Sequence, residues 1–121
     1  MSRKHVTSPF VLTPIGMSSS SFSDVSDISQ MDGAGYQLTW SGGNAGAATV
    51  LVQCQIADPT VGVSNTWCNL DMDPIVISGA SGGIFLNLQV TLAQKIRLSY
   101  VNSTYSQGTL KDVVLLKTIG A

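Results

Sequence analysis

A chain of 121 residues, 44% hydrophobic and 11% charged, is one domain with enough apolar mass for its own core, so neither a metal nor a disulfide staple is obligatory. Soluble domains usually carry about 25% charged residues, so the surface here must be built largely from Ser, Thr, Asn, Gln and Gly. A net charge of −1 excludes a general attraction to nucleic acid or to an anionic membrane.

All seven acidic residues are Asp, and glutamate is absent. Asp favours turns and caps while Glu favours helices, so composition already leans away from helix. A polar surface with few charges suits an extracellular module, or a protein covered by neighbours in an assembly.

In chain order, "MSRKHVTSPFVLTPIG" comes first. Pro9 and Pro14 interrupt its apolar part, which is too short for a signal-peptide core, so no secretion signal is expected. Val6, Phe10, Val11, Leu12 and Ile15 are apolar enough to seek a surface to bury. Proline confines such a segment to an edge or an extended arm. Residues 1–30 are therefore expected to form an N-terminal arm and irregular edge. The arm lies along its own domain or crosses to a neighbour, and residues 31–121 form the main domain. "FSDVSDISQMDG" spaces Phe22, Val25 and Ile28 three apart, but its Ser and Asp fit a loop, a 3₁₀ turn or an irregular edge strand at least as well as a helix.

From residue 35 the pattern has period two. "GYQLTWSG" sets Tyr36, Leu38 and Trp40 against Gln37, Thr39 and Ser41, which is a half-buried strand. "GGNAG" is a turn, and "AATVLVQCQIAD" is the next strand. Val50, Val52, Cys54 and Ile56 share one face of it, with Leu51 on the polar face. "TWCNL" and "IVIS" are short strands on either side of "DMDP". "IFLNLQVTL" turns Ile84, Leu86, Leu88, Val90 and Leu92 inward. "KIRLSYV" does the same with Ile96, Leu98 and Tyr100, and "LKDVVLLKTI" closes the chain as its hairpin partner. About seven or eight short strands at this spacing predict an all-β, antiparallel β-sandwich or jelly roll with an extended N-terminal arm.

Chemistry is sparse. His5 is the only histidine and sits in the polar N-terminal tail, so it is poorly placed as a general base. "SGASGG" lacks the context of a nucleophile elbow, and a β-turn explains it. Asp71 and Asp73, or Asp24, Asp27 and Asp32, could in principle hold calcium, but Asp in loops more often forms turns and caps. Two cysteines and one distant histidine do not make a zinc site. "NST" at 102–104 fits the glycosylation pattern, and a chance match in a turn explains it equally. No enzymatic activity, metal or cofactor is expected.

Three features remain open. Cys54 and Cys68 are equidistant from a loop centre near residue 61. They could face each other across a hairpin at disulfide distance, or act as two buried thiols. Trp67, at the start of a strand, and Tyr105, in a loop, are the residues available to a carbohydrate or receptor ligand. Four basic residues in 95–117 (Lys95, Arg97, Lys111, Lys117) are interleaved with Tyr100 and Tyr105. Spread over two strands with Asp112 among them, they make a solvated or interface face, not a nucleic-acid track.

Taken as an ordered set, residues 32–117 resemble a family of small virion proteins of tailed bacteriophages. The features are "YQLTWSGG", a long strand "GAATVLVQCQIAD", a Trp opening "NTWCNL", the turn in "IVISGASGG", the strand "FLNLQVTL", and the ending "IRLSYVNSTYSQGTLKDVVLLK". "QCQIADPTVGVSN" departs from the family pattern, where a plainer V-S-x-D stretch is common. The resemblance implies a non-enzymatic structural protein of the particle, a capsid decoration or cement protein or a tail component. It would be homo-oligomeric, in contact with the major capsid or tail protein, and made in the host cytoplasm. A carbohydrate- or receptor-binding module of a tail or fibre is the alternative.

Overall fold

A computed structural model describes residues 5–6, 10–28, 33–55, 67–88, 95–110 and 114–119; for 5–6, 10 and 114–119 only the backbone is described. Among these residues every element is a strand, and every pairing is antiparallel.

The strands form two sheets, and the chain is a β-sandwich. The first sheet contains β1 (His5–Val6), β2 (Phe10–Val11), β3 (Ile15–Gly16), β6 (Gly33–Ser41), β10 (Gly82–Leu88), β12 (Thr109–Leu110) and β13 (Val114–Ile119). The second contains β4 (Ser21–Phe22), β5 (Ser26–Asp27), β7 (Ala47–Gln55), β8 (Cys68–Asn69), β9 (Ile75–Ser78) and β11 (Lys95–Asn102). In the first sheet β6 is central, with β10 on one side and β12 and β13 in series on the other. In the second, β7 is flanked by β11 on one side and by β8 and β9 in series on the other.

Side-chain alternation explains why the long strands lie as they do. Tyr36, Leu38 and Trp40 of β6 are buried while Gln37 is exposed. Val50 and Val52 of β7, Leu86 and Leu88 of β10, and Ile96, Leu98 and Tyr100 of β11 are buried from the facing strands. Each fully buried aliphatic or aromatic side chain stabilises the fold by roughly 1.5–3 kcal/mol. Trp40 is accommodated by its register partner: a Cβ on Gly82 would stand 2.5 Å from Trp40 Cζ2, so only glycine leaves room for the indole there. Ile56, Val90 and Leu92 lie outside the described residues.

One expectation changes. The strand over 95–102 and the closing strands over 109–110 and 114–119 are not a hairpin: β11 belongs to the second sheet, and β12 and β13 belong to the first. The connection crosses the end of the sandwich, because the buried faces of β11 and β12 must look at each other across the core. Of the two courses open to the N-terminal segment, its described residues take the one along their own domain, at the sandwich edges. β1 and β2 pair with β13, β3 pairs with β12, and β4 and β5 pair with β11. Ile15 is buried and Leu12 packs against the core, so neither is available as a tether to another subunit; Val11 is 76% exposed. The side chains of Val6 and Phe10 lie outside the described set. Ser23 joins β4 to β5: its N–H donates to Leu98 O at 2.9 Å, and its Oγ accepts from Leu98 N at 2.8 Å.

Candidate functional site

One end of the sandwich is a cap of four turns around Tyr105. The Tyr105 hydroxyl donates to Gly79 O at 2.6 Å, and the residue is 3% exposed. Asn102 holds the turn from the other side. Its Oδ1 accepts from Tyr105 N, and its Nδ2 donates to Tyr105 O and Ser18 O. Asn44 Oδ1 accepts from Ser106 N, and Thr104 Oγ1 accepts from Ala47 N at 2.7 Å. Burial pushes the Tyr105 hydroxyl pKa up. Tyr105 is therefore a structural strut and not the exposed platform its polar loop suggested. The Asn102 amide is committed to two carbonyls, which disfavours its use as a glycan acceptor in the folded chain.

The outer face of the second sheet carries the side chains with most to offer a partner. Register sets them in rows. Val76, Thr49 and Val101 form one, and Leu51, Ser99 and Phe22 the next. Asn69, Gln53 and Arg97 form the third. Val76 is 65% exposed, and Phe22 and Val101 are also exposed.

Arg97 is the centre of this face. Its guanidinium carbon lies 3.8 Å from the centroid of the Phe22 ring and 4.4 Å from that of Trp67. Each such contact is worth roughly 0.5–1 kcal/mol when exposed and more when desolvated. Arg97 Nε donates to Gln53 Oε1 at 2.8 Å, and Gln53 Nε2 donates to Asn69 Oδ1 at 3.1 Å. Partial burial moves the Arg97 pKa down, although a guanidinium stays charged at neutral pH. The stack joins three segments far apart in the chain: β4, β11 and the residue before β8. Trp67 was legible as a candidate from its place at a strand start. Phe22 and Gln53 were not, since only the register brings them to Arg97.

Cys54 and Cys68 are directly opposed in the β7–β8 ladder, and both are thiols. Cys68 is exposed; Cys54 is half-buried, and burial raises its pKa. Asp71 and Asp73 are exposed in the connection between β8 and β9. Among the described residues no group of three or more His, Cys, Asp or Glu side chains gathers as a metal site would require. His5 lies in β1, and its side chain is outside the described set; Asp32, Lys111 and Asp112 are outside it entirely.

Fold and surface together define a β-sandwich whose outer faces carry apolar and stacked aromatic side chains. No protein-family model matches the chain, and no curated protein matches it. Among solved structures it is similar to a carbohydrate-binding module specific for non-crystalline cellulose, with a TM-score of 0.43 and 10% identity. The match covers 78% of this chain and 58% of that one. At that level the likeness bears on neither ligand nor function.

Proposed function

We propose that this chain is a structural protein of a bacteriophage virion, a capsid decoration or cement protein that reinforces the particle through contacts between copies and with the major capsid or tail protein. The observation that carries this reading is the uncovered apolar surface on both outer faces. Val76, Val101 and Phe22 project from the second sheet, and Phe85, 58% exposed, projects from the first. Covering such surface gains roughly 25 cal/mol per Å² of apolar area removed from water. A chain with only 11% charged residues has little to keep these faces apart. The ordered resemblance of residues 32–117 to phage virion proteins supplies the class of particle.

The test uses Val76→Asp combined with Val101→Asp. Both side chains are exposed, so the fold and thermal midpoint should persist. Sedimentation velocity should shift from the wild-type oligomer to the monomer, and the variant should be lost from purified particles. A wild-type chain that sediments as a monomer and is missing from purified particles by mass spectrometry refutes the proposal.

A second reading, a carbohydrate- or receptor-binding module of a tail or fibre, is favoured by one observation. Phe22, Arg97 and Trp67 stand beside the amides of Gln53 and Asn69 on one face. Stacking rings next to amide donors and acceptors are what a sugar uses. Glycan-array binding that disappears in Trp67→Ala, with the fold kept, would establish it.

A further inference from the structure

We infer that Cys54 and Cys68 are a redox pair: a small-molecule disulfide converts them into a cross-strand disulfide that fastens the β8 edge to β7. The register alone places them together, with Cys54 opposite Cys68 and Gln53 opposite Asn69.

The phase of the ladder sets what kind of bond this is. Leu70 N donates to Val52 O at 2.7 Å, so 52 and 70 are a hydrogen-bonded pair. Cys54 and Cys68, two positions further along, are of the same kind. Such pairs hold their Cα atoms about 5.5 Å apart, within the preferred disulfide span. Their Cβ atoms stand near the wide end of roughly 4.5–5.5 Å, while a disulfide wants about 3.5–4.5 Å. Closing that gap requires β8 to move toward β7. β8 has only two residues and borders no further strand among the described residues, so it can move. The residual strain keeps the bond reducible.

The chemistry balances without a metal. The exposed Cys68, as thiolate, attacks a sulfur of oxidised glutathione. A mixed disulfide forms and one glutathione thiolate leaves. Cys54 then loses its proton to solvent and attacks Cys68 Sγ, displacing the second glutathione. Two thiols are oxidised and one glutathione disulfide is reduced to two thiols. Cys68 reacts first because it is exposed, whereas burial raises the Cys54 pKa and lowers its thiolate fraction.

The bond would also hold Trp67, the residue before Cys68, against Arg97. In a particle assembled in reducing cytosol and released into an oxidising medium, the clamp closes after assembly. That timing rests on the virion proposal; the bond does not, and it is tested on the isolated chain.

The purified, reduced protein is incubated with oxidised glutathione. Intact mass should fall by two hydrogens, with no alkylation until a reductant is added. Trypsin finds no site between Lys4 and Lys95, so chymotryptic peptides must carry the linkage. The thermal midpoint should rise by roughly 5–10 °C, which is the shift of about 12 °C expected from closing a loop of this length less the strain left in the bond. Millimolar reduced glutathione should reverse it. Cys68→Ser, at an exposed position, should abolish both the mass change and the shift, and Cys54→Ser should do the same if it folds. Glutathione left on Cys68, disulfide-linked dimers, thiols unchanged by the oxidant, or a bond that leaves the midpoint unmoved would each overturn the inference.

Discussion

Truncating Tyr105 to alanine removes the post around which the loop cap is built. The ring is almost fully buried, and its hydroxyl donates to Gly79 O. Losing a buried aromatic side chain costs about 3–5 kcal/mol. Tyr105→Phe keeps the ring and loses one hydrogen bond, leaving the Gly79 carbonyl to find another donor, at a cost of roughly 0.5–1.5 kcal/mol. The structure supplies a sharper test through Gly43. A Cβ there would stand 3.0 Å from Tyr105 Cε1 and 3.3 Å from Cδ1, so the clash is mainly with a side chain. Gly43→Ala alone should cost about 1–2 kcal/mol by overpacking, less what it gains by restricting the unfolded chain. With Tyr105→Ala already made, the new methyl enters vacated space, and Gly43→Ala should become neutral or stabilising by about 0.4–1 kcal/mol.

Urea unfolding of the four proteins, followed by tryptophan fluorescence with the slope compared across variants, measures the coupling. The expected interaction is on the order of 1–3 kcal/mol. Two results would contradict this packing. One is a Tyr105→Ala cost below about 1 kcal/mol, which would mean that the ring is not packed as described. The other is additivity within about 0.5 kcal/mol, which would mean that Gly43 and Tyr105 do not meet.

Arg97→Ala should destabilise by roughly 1–2 kcal/mol through loss of two ring contacts and the Gln53 hydrogen bond, and Arg97→Lys should recover less than half, because an ammonium cannot stack as a planar fork. Chemical denaturation of both variants checks this, and full rescue by lysine would count against the stack. Thr13 N and Oγ1 both donate to Asp24 Oδ2, and these bonds hold the carboxyl below its ordinary value of 3.8. The stability from Asp24 is therefore present above that value and lost as pH falls through the lower folded one. Asp24→Ala should flatten the acid limb of a stability-versus-pH curve and leave the curve's shape above pH 5 or so unchanged. Burial raises all three tyrosines, with Tyr100 pushed up to about 12. Their contribution is complete below the usual tyrosine pKa of about 10 and is lost as pH rises through the folded values. Spectrophotometric titration should show Tyr36 and Tyr100 ionising well above the ordinary tyrosine pKa in the folded chain, and alkaline unfolding should release the two together.

The alternation of apolar and polar residues in β6, β7, β10 and β11 decided which side chains face the core. Period two is a local property of an extended chain. It placed Tyr36, Leu38, Trp40, Val50, Val52, Ile96, Leu98 and Tyr100 inside, as observed. The symmetric spacing of Cys54 and Cys68 likewise anticipated their register, since an antiparallel pair has one centre of folding-back. Local pattern could not decide which sheet each strand joins. β11 and β12 are consecutive, yet they face each other across the core, because the turn between them spans the end of the sandwich. The same turn buries Tyr105, which its neighbours Asn102, Ser103, Thr104 and Ser106 make look exposed. Pairing across the sheet also brings Phe22 and Gln53, distant in the chain, to Arg97. Partner choice and register depend on the joint burial of residues tens of positions apart. An alternating sequence therefore fixes the inward face of each strand, and only the tertiary structure fixes what that strand meets.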